Sequence, residues 1–355
     1  MIIKDKSICI FSQTLLKAGA EKQAVLLALS LRSKFEVTFI VYYRDKIDSS
    51  LMNQLVESGI NVLTLKGNHL KKLYKIFKTF NKNTILFNYL FLPNFIGGIL
   101  SKLKRVHCTF GGIRSSKLSK KKFFLEKLLH NNLNDYTIFN NVSGMDNCID
   151  MGFLKHKSIY IPNALFPIPK KKVKVKSEGF FNILSVGRFE EVKNYPFALS
   201  VIAELIKNKI KIKYTIIGWG SKEKEIRKII SDLDISDYVE IIINPPNIND
   251  FYERADLFFQ CSKQEGVSNT ILEAMSHTLP VVATKVGDND KLVINNKNGY
   301  IINEGELNVF REKIHGLIDN HEKRINFGSS AYDRLKREYS IDNFEERYNK
   351  LVLSI

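Results

Sequence analysis

The sequence predicts an α/β chain of two doubly wound parallel-sheet domains. Three observations predict it. Short β-rich runs alternate with helical stretches almost throughout, which is the pattern of βαβ units. A proline- and lysine-rich segment interrupts that alternation once, near the middle. The chain, at 355 residues, is long enough for two cores of ordinary domain size.

In the first half the β-rich runs are 7–12, 35–43, 60–65, 84–88, 105–110, 136–140 and 158–161. Helical stretches such as 21–32, 69–80, 119–131 and 142–151 separate them. The second half repeats the plan with runs at 181–186, 212–217, 238–243, 256–261, 280–286 and 300–303, and 341–355 reads as a closing helix. Between the halves stands Pro162-Asn163-Ala164-Leu165-Phe166-Pro167-Ile168-Pro169, then Lys170-Lys171-Lys172-Val173-Lys174-Val175-Lys176-Ser177. Three prolines and a lysine run suit a linker near 165–179 better than any regular element.

Composition is that of an ordinary globular protein, with 44% hydrophobic and 26% charged residues and a mean hydropathy of −0.14. Charge is uneven. Residues 1–177 hold 30 Lys and Arg against 10 Asp and Glu, a net +20, while 178–355 hold 24 against 27, a net −3. The first half is therefore expected to face something anionic, or else to carry a lysine-rich compositional bias. The four cysteines, Cys9, Cys108, Cys148 and Cys261, form no CxxC pair, which fits a reducing compartment. No cleavable leader and no run of 18 apolar residues is apparent. The expectation is a cytoplasmic protein whose membrane contact, if any, is peripheral.

In open parallel sheets ligands bind beyond the C-terminal strand ends. The run at 181–186 leads into Gly187-Arg188-Phe189-Glu190-Glu191-Val192-Lys193-Asn194. Gly187 permits a tight turn; Arg188 and Lys193 could neutralise a diphosphate, or simply form a solvated turn. The run at 212–217 leads into Gly218-Trp219-Gly220. Trp219 could stack on a base or cap the domain edge. The run at 256–261 leads through Glu265-Gly266 to Ser268, an N-cap for a helix starting at Asn269. That helix end would face a phosphate. Glu273, one turn inside, could accept both hydroxyls of a ribose, and Glu265 could meet sugar hydroxyls.

Taken in order, Gly187-Arg188…Lys193, Glu265-Gly266…Asn269…Glu273-Ala274-Met275 and Leu279-Pro280-Val281-Val282-Ala283-Thr284 resemble the retaining GT-B glycosyltransferase family 4. Ala18-Gly19-Ala20-Glu21-Lys22 is similar to that family's glycine-rich N-terminal loop, and Ile161-Pro162-Asn163 to its junction motif. Lys193-Asn194-Tyr195-Pro196 and Val286-Gly287-Asp288-Asn289 resemble the branch that builds bacterial surface polysaccharides. The resemblance implies two Rossmann-like domains facing a cleft: 1–165 for the acceptor, 180–340 for the nucleotide sugar, and a helix 341–355 with a return to the N-terminal domain as one option. It implies a hexosyl- or N-acetylhexosaminyltransferase; UDP is the expected carrier on frequency alone, and the basic first half adds a lipid-linked glycan as the expected acceptor. It implies no cofactor and no bound metal. Arg188 and Lys193 would bind diphosphate, Glu273 ribose, Glu265 donor sugar, and the backbone at Ser268 and Asn269 phosphate and sugar. Gly19, Gly187, Gly218, Trp219 and Gly266 would line the donor.

The sequence departs from the family in places. Ala18 and Ala164 stand where glycines are usual, and Lys291 where an acidic residue is common. Arg114, in the loop Phe110-Gly111-Gly112-Ile113-Arg114-Ser115, stands near a position that many members fill with histidine, and is the candidate there; His107 is placed within the strand. Asp288-Asn289-Asp290 spells a metal-binding tripeptide of another class but reads here as a loop. Two basic stretches, 69–80 and 120–127, could be interfacial membrane patches, or helices that pack Leu70, Leu73, Phe77 and Phe80 inward and leave lysines in water. A non-catalytic scaffold of the same fold is the alternative function. A nucleic-acid-binding protein has charge alone to support it, with no accompanying motif.

Overall fold

The computed structural model describes residues 5–114, 119–172 and 179–355. The chain divides into two units. The first runs to Phe166 and takes back Ser340–Ile355; the second is Pro167–Tyr339.

The first unit carries β1 (Ser7–Ser12), β2 (Glu36–Val41), β3 (Asn61–Thr64), β4 (Thr84–Tyr89), β5 (Cys108–Ile113), β6 (Tyr136–Phe139) and β7 (Ser158–Tyr160). All pair in parallel, in the order β3-β2-β1-β4-β5-β6-β7. β1, β4 and β5 are apolar almost throughout, as strands covered on both faces must be. One face packs on helix Gly19–Leu31 and on the closing helix Ile341–Leu353, which inserts Phe344, Tyr348 and Val352. Tyr348 meets Phe87 of β4 edge to face at 5.7 Å. The other face packs on helices His69–Thr79 and Phe91–Lys104.

The second unit carries β8 (Phe181–Val186), β9 (Ile212–Ile217), β10 (Val239–Ile242), β11 (Leu257–Gln260), β12 (Val281–Thr284) and β13 (Gly299–Ile302). These are also all parallel, in the order β10-β9-β8-β11-β12-β13. Helix Tyr195–Lys207 covers them with Leu199, Val201, Ile202 and Leu205, all fully buried. Each such side chain contributes roughly 1.5–3 kcal/mol of transfer free energy. In each sheet the strand order reverses at one place, β1/β4 and β8/β11. Such reversals leave a crevice at the C-terminal strand ends.

Several expectations shift. The fifth strand begins at Cys108 rather than at residue 105. Arg105 ends helix Phe91–Lys104 in the left-handed region (φ 50°), returning its N–H to Ser101 and Lys102. His107 is therefore exposed and one residue short of the strand, with its N–H on Thr84 O at 2.9 Å. Gly111 and Gly112 lie in β5, not in a loop. Asn94 clamps Gly112 there, accepting its N–H at 2.9 Å and donating to its carbonyl at 3.2 Å. The single helix expected at 119–131 is Lys120–Leu128 followed by a π-type turn, Leu129–Leu133. Asp288 does not sit in an open loop but opens a short helix, Asn289–Leu292. Leu70 does not pack inward with Leu73 and Phe80. Of the linker, residues 167–172 lie along the second unit. Lys171 pairs with Asp333 at 2.7 Å, and Tyr332 Oη donates to Pro169 O at 2.9 Å. The rest of the lysine run, from Val173 through Ser177, lies outside the described residues, as does Ser115.

Candidate functional site

The reversal between β8 and β11 brings together the loops that follow those strands. After β8 the chain turns at Gly187, whose carbonyl accepts from Tyr195 Oη at 3.0 Å. A Cβ there would meet both Tyr195 Oη and Lys193 Cε at 3.2 Å. A 3-10 turn, Glu191–Lys193, and Asn194 in the left-handed region (φ 52°) then deliver the chain into helix Tyr195–Lys207. Arg188 is exposed and makes no ion pair among the described residues. Lys193 is committed: its ammonium stands 2.6 Å from Glu265 Oε1, with the two side chains only 16% and 12% exposed. Ser262 Oγ donates to the same oxygen at 2.6 Å. The post-β11 loop is fastened to the post-β8 loop a second time, by Lys263 N–H on Val192 O at 2.8 Å and Lys263 Nζ on Glu191 at 2.7 Å.

Two neighbouring turns lock onto this pair. Gly218, after β9, packs so closely on the Gly187 carbonyl and Phe189 ring that no Cβ fits. Phe189 N–H then donates to Trp219 O at 2.8 Å, which leaves the Trp219 side chain at the surface. After β12, Gly287 adopts φ +55° with its α-carbon against the carbonyls of Glu265 and Gly266, and Asp288 N–H donates to Gly266 O at 3.0 Å. The protein's own packing thus requires glycine at 218 and 287.

Helix Asn269–Ser276 begins at Ser268, whose Oγ accepts from Ile271 N–H at 3.4 Å. That is a long cap. The buried hydroxyl is also engaged by Gln260 Nε2 at 3.1 Å, and Asn289 holds Gln260 in turn at 3.4 Å. Asn269 is half-buried at the helix start. Glu273, one turn along, accepts from Tyr252 Oη at 2.9 Å. Burial, followed by the Glu273 charge, pushes the Tyr252 phenol well up, so it is a neutral donor. Its ring lies flat on His277, 5.3 Å between centroids and 8° between planes.

Gly19 and Arg114 belong to the first unit. Gly19 opens helix Gly19–Leu31, where buried Glu21 accepts from Thr14 Oγ1 at 2.6 Å. Gln23 makes a reciprocal amide pair with Ala164, at 2.7 and 2.9 Å. That pair ties the first turns of this helix to the Pro-Asn-Ala motif 141 residues away. Arg114 follows β5 with its guanidinium carbon 4.5 Å above the Tyr89 ring. Its Nε and Nη1 are buried without a hydrogen-bond partner among the described residues. Tyr252, Ser262, Gln23 and Gly287 were not singled out as site residues from sequence. Only Gly287 had a local signal, in the Val-Gly turn after a strand.

Among the described residues there is no cluster of three His, Cys, Asp or Glu side chains placed to hold a metal ion. No helix among them is long and apolar enough to cross a membrane.

Residues 168–334 match the family model for glycosyl transferases group 1. Poly(ribitol-phosphate) alpha-N-acetylglucosaminyltransferase of Staphylococcus aureus (strain COL) is 29% identical over 171 residues, 48% of this chain and 34% of that protein. The capsular polysaccharide biosynthesis glycosyltransferase CapM of Staphylococcus aureus is 25% identical over 203 residues, 53% of this chain and 52% of that protein. The chain spans about half the length, or less, of the curated relatives it matches. In fold it is similar to Anabaena HepE in complex with UDP, with a TM-score of 0.86 at 17% identity over 98% of this chain and 100% of that one. The two Rossmann-like units are those of a GT-B fold.

Proposed function

We propose that this chain, whose residues 168–334 match the family model for glycosyl transferases group 1, moves a hexose or N-acetylhexosamine from a nucleotide-diphosphate sugar to a glycan acceptor. The carrier we favour is UDP. The acceptor we favour is a lipid-linked glycan of surface-polysaccharide synthesis, met by the first unit at the inner face of a membrane. The relatives named above, one a poly(ribitol-phosphate) alpha-N-acetylglucosaminyltransferase and one of capsular polysaccharide biosynthesis, support a role in surface-polysaccharide synthesis.

One observation carries the donor assignment. The exposed Arg188 and the Glu265-bound Lys193 both stand on the loop after β8, and Glu265 stands on the loop after β11, so the two loops meet at the β8/β11 reversal. The next helix, starting at Asn269, carries Glu273. Two cations neutralise a pyrophosphate without a metal, and a helix start adds positive potential. Glu273 takes the ribose hydroxyls, and Glu265 the donor sugar. Transfer proceeds with retention. The bond from the anomeric carbon to the diphosphate oxygen breaks, and the acceptor oxygen bonds the same carbon on the same face. The acceptor proton passes to the departing phosphate. No protein nucleophile enters; positioning and charge stabilisation of the leaving diphosphate supply the rate.

Calorimetric titration of UDP-hexoses and UDP-N-acetylhexosamines, with NMR of the product anomer and chelator controls, tests this reading. Saturable binding and a retained anomer uphold it. An inverted product or full inhibition by chelator removes the mechanism. Donor binding without transfer to any lipid-linked acceptor would favour the scaffold role. No binding of any nucleotide sugar would remove the site.

A further inference from the structure

The face of the first unit's sheet opposite the closing helix is covered by three adjoining helices. Phe91–Lys104 lies in the middle. His69–Thr79 flanks it on one side, where the Lys104 ammonium sits 4.2 Å above the Phe77 ring. Lys120–Leu128 flanks it on the other, where Asn94 donates to Glu126 at 3.0 Å. Their inner faces pack normally: Ile76, Phe80 and Ile96 are buried in one cluster with Phe11 and Leu86.

Their outer faces are not uniformly polar. Phe95, Ile99 and Leu103 follow one another at four-residue steps on the outside of the middle helix, and Leu103 is 67% exposed. Leu70, 76% exposed, and Tyr74 repeat the step on one neighbour. Phe124, 61% exposed, and Leu128 repeat it on the other. A helix of a soluble sheet layer turns its charged face to water. Single exposed apolar residues are commonplace, but the same outward four-residue step on three adjoining helices marks an interaction surface.

Charge identifies the partner. Residues 66–127 contain 15 Lys and Arg and a single acidic residue, Glu126, and that carboxyl is buried. Lys71, Lys75, Lys120 and Lys121 are exposed on these helices and have no carboxylate within ion-pair range among the described residues. Only Lys102 has one, Asp135 at 2.8 Å. A second copy of this chain would set lysines against lysines. A nucleic-acid backbone would meet the lysines but leave the leucines and phenylalanines nothing to enter. An anionic lipid surface satisfies both: apolar side chains enter the acyl boundary, and long lysine stems carry their charge to the headgroups.

We infer that the outer face of these three helices docks peripherally on an anionic phospholipid membrane. Phe95, Ile99 and Leu103 insert at its centre, and the flanking lysines bind headgroups. This deepens the lipid-linked acceptor of the preceding section but stands on its own observations.

The test is co-sedimentation of the full chain with extruded vesicles of phosphatidylcholine alone and with 30% phosphatidylglycerol, at low and at 0.5 M salt. Strong partitioning to the anionic vesicles, falling at least tenfold without phosphatidylglycerol, is expected. The triple variant Phe95→Ser, Ile99→Ser, Leu103→Ser is expected to lose at least tenfold in partitioning with an unchanged melting temperature. Lys71→Gln with Lys75→Gln, Lys120→Gln and Lys121→Gln is expected to lose the preference for anionic lipid. Wild type left in the supernatant, or a triple variant that still binds, overturns the proposal. So does duplex DNA binding as tight as that to vesicles, or a dimer in sedimentation velocity that the triple variant abolishes. UDP-sugar binding by calorimetry, which these variants leave intact, reports separately on the donor site.

Discussion

The Tyr252 phenol donates to Glu273 Oε2 at 2.9 Å while its ring lies flat on His277. The carboxylate proposed to hold the ribose is thereby oriented by a fully buried neutral donor. Tyr252→Phe keeps the ring and removes the bond. A hydrogen bond to a charged group contributes about 1.5–3 kcal/mol, so the donor KM is expected to rise roughly tenfold or more. Glu273 acts on the ribose in ground and transition states alike, so kcat should fall by less than about threefold. Steady-state kinetics of Tyr252→Phe, beside Glu273→Gln, decides. A loss confined to kcat would show that Tyr252 does not act through ribose binding.

Lys193 and Arg188 separate binding from stability. Lys193 is largely buried against Glu265; Arg188 is exposed. Lys193→Ala leaves Glu265 with the Ser262 hydroxyl, and should cost about 1–3 kcal/mol of folding stability. Arg188→Ala should change stability by no more than about 0.5 kcal/mol. Donor affinity is expected to fall at least about tenfold in both, since each removes a charge that meets the diphosphate. Urea titrations paired with calorimetry distinguish the two. Equal stability losses would mean that the Lys193–Glu265 pair contributes nothing to the fold.

Much of the frame was legible because it is set locally. Ser268 as the cap of a helix from Asn269 follows from residue type and spacing, and β8 and β9 begin and end where the apolar runs do. What was not legible depends on distant partners. Gln23 shows its role only once Ala164 is beside it, and Tyr252 only once Glu273 is. Of the two readings that apolar periodicity allowed for 69–80, the packed one put Leu70 inward, but the chain turns Leu73, Ile76 and Phe80 inward and leaves Leu70 outside. The outward stripe Phe95–Ile99–Leu103 was hidden because Phe91–Lys104 is apolar on both faces, so no polar side exposes its orientation.

Gly287 holds the turn after β12 against the Glu265–Gly266 backbone. An L side chain at φ +55° is strained, and its Cβ would overlap two carbonyl oxygens. Gly287→Ala is therefore expected to lose about 1–3 kcal/mol. It should also weaken donor binding, because relief of the overlap moves Glu265. Gly305→Ala is the control, with φ +84° but nothing near its Cβ. Denaturant midpoints of the two variants should differ, Gly287→Ala being the lower. Equal midpoints would mean that backbone strain alone, and not the loop contact, sets the cost.

Glu126 and His130 give the first unit opposed pH dependences. Burial raises the Glu126 carboxyl from 4.5 to about 7, against the Asn94 hydrogen bond and Lys122. The folded state therefore holds a proton that the unfolded chain releases, and this contribution is lost as pH rises from 4.5 through about 7. Burial lowers His130 from 6.5 to about 4, against its bond to Leu154 O. Its contribution is present above pH 6.5 and lost as pH falls through about 4. Between roughly pH 4.5 and 6.5 the two slopes cancel. Glu126→Gln keeps an oxygen for Asn94 and removes one of them. Stability of this variant relative to wild type should then climb by about 2–3 kcal/mol from pH 4.5 to 6.5. His130→Gln should shift the opposite way over the same window. Urea denaturation across pH 4.5–8 measures both differences, and parallel profiles for wild type and Glu126→Gln would show that Glu126 is ionised in the folded protein.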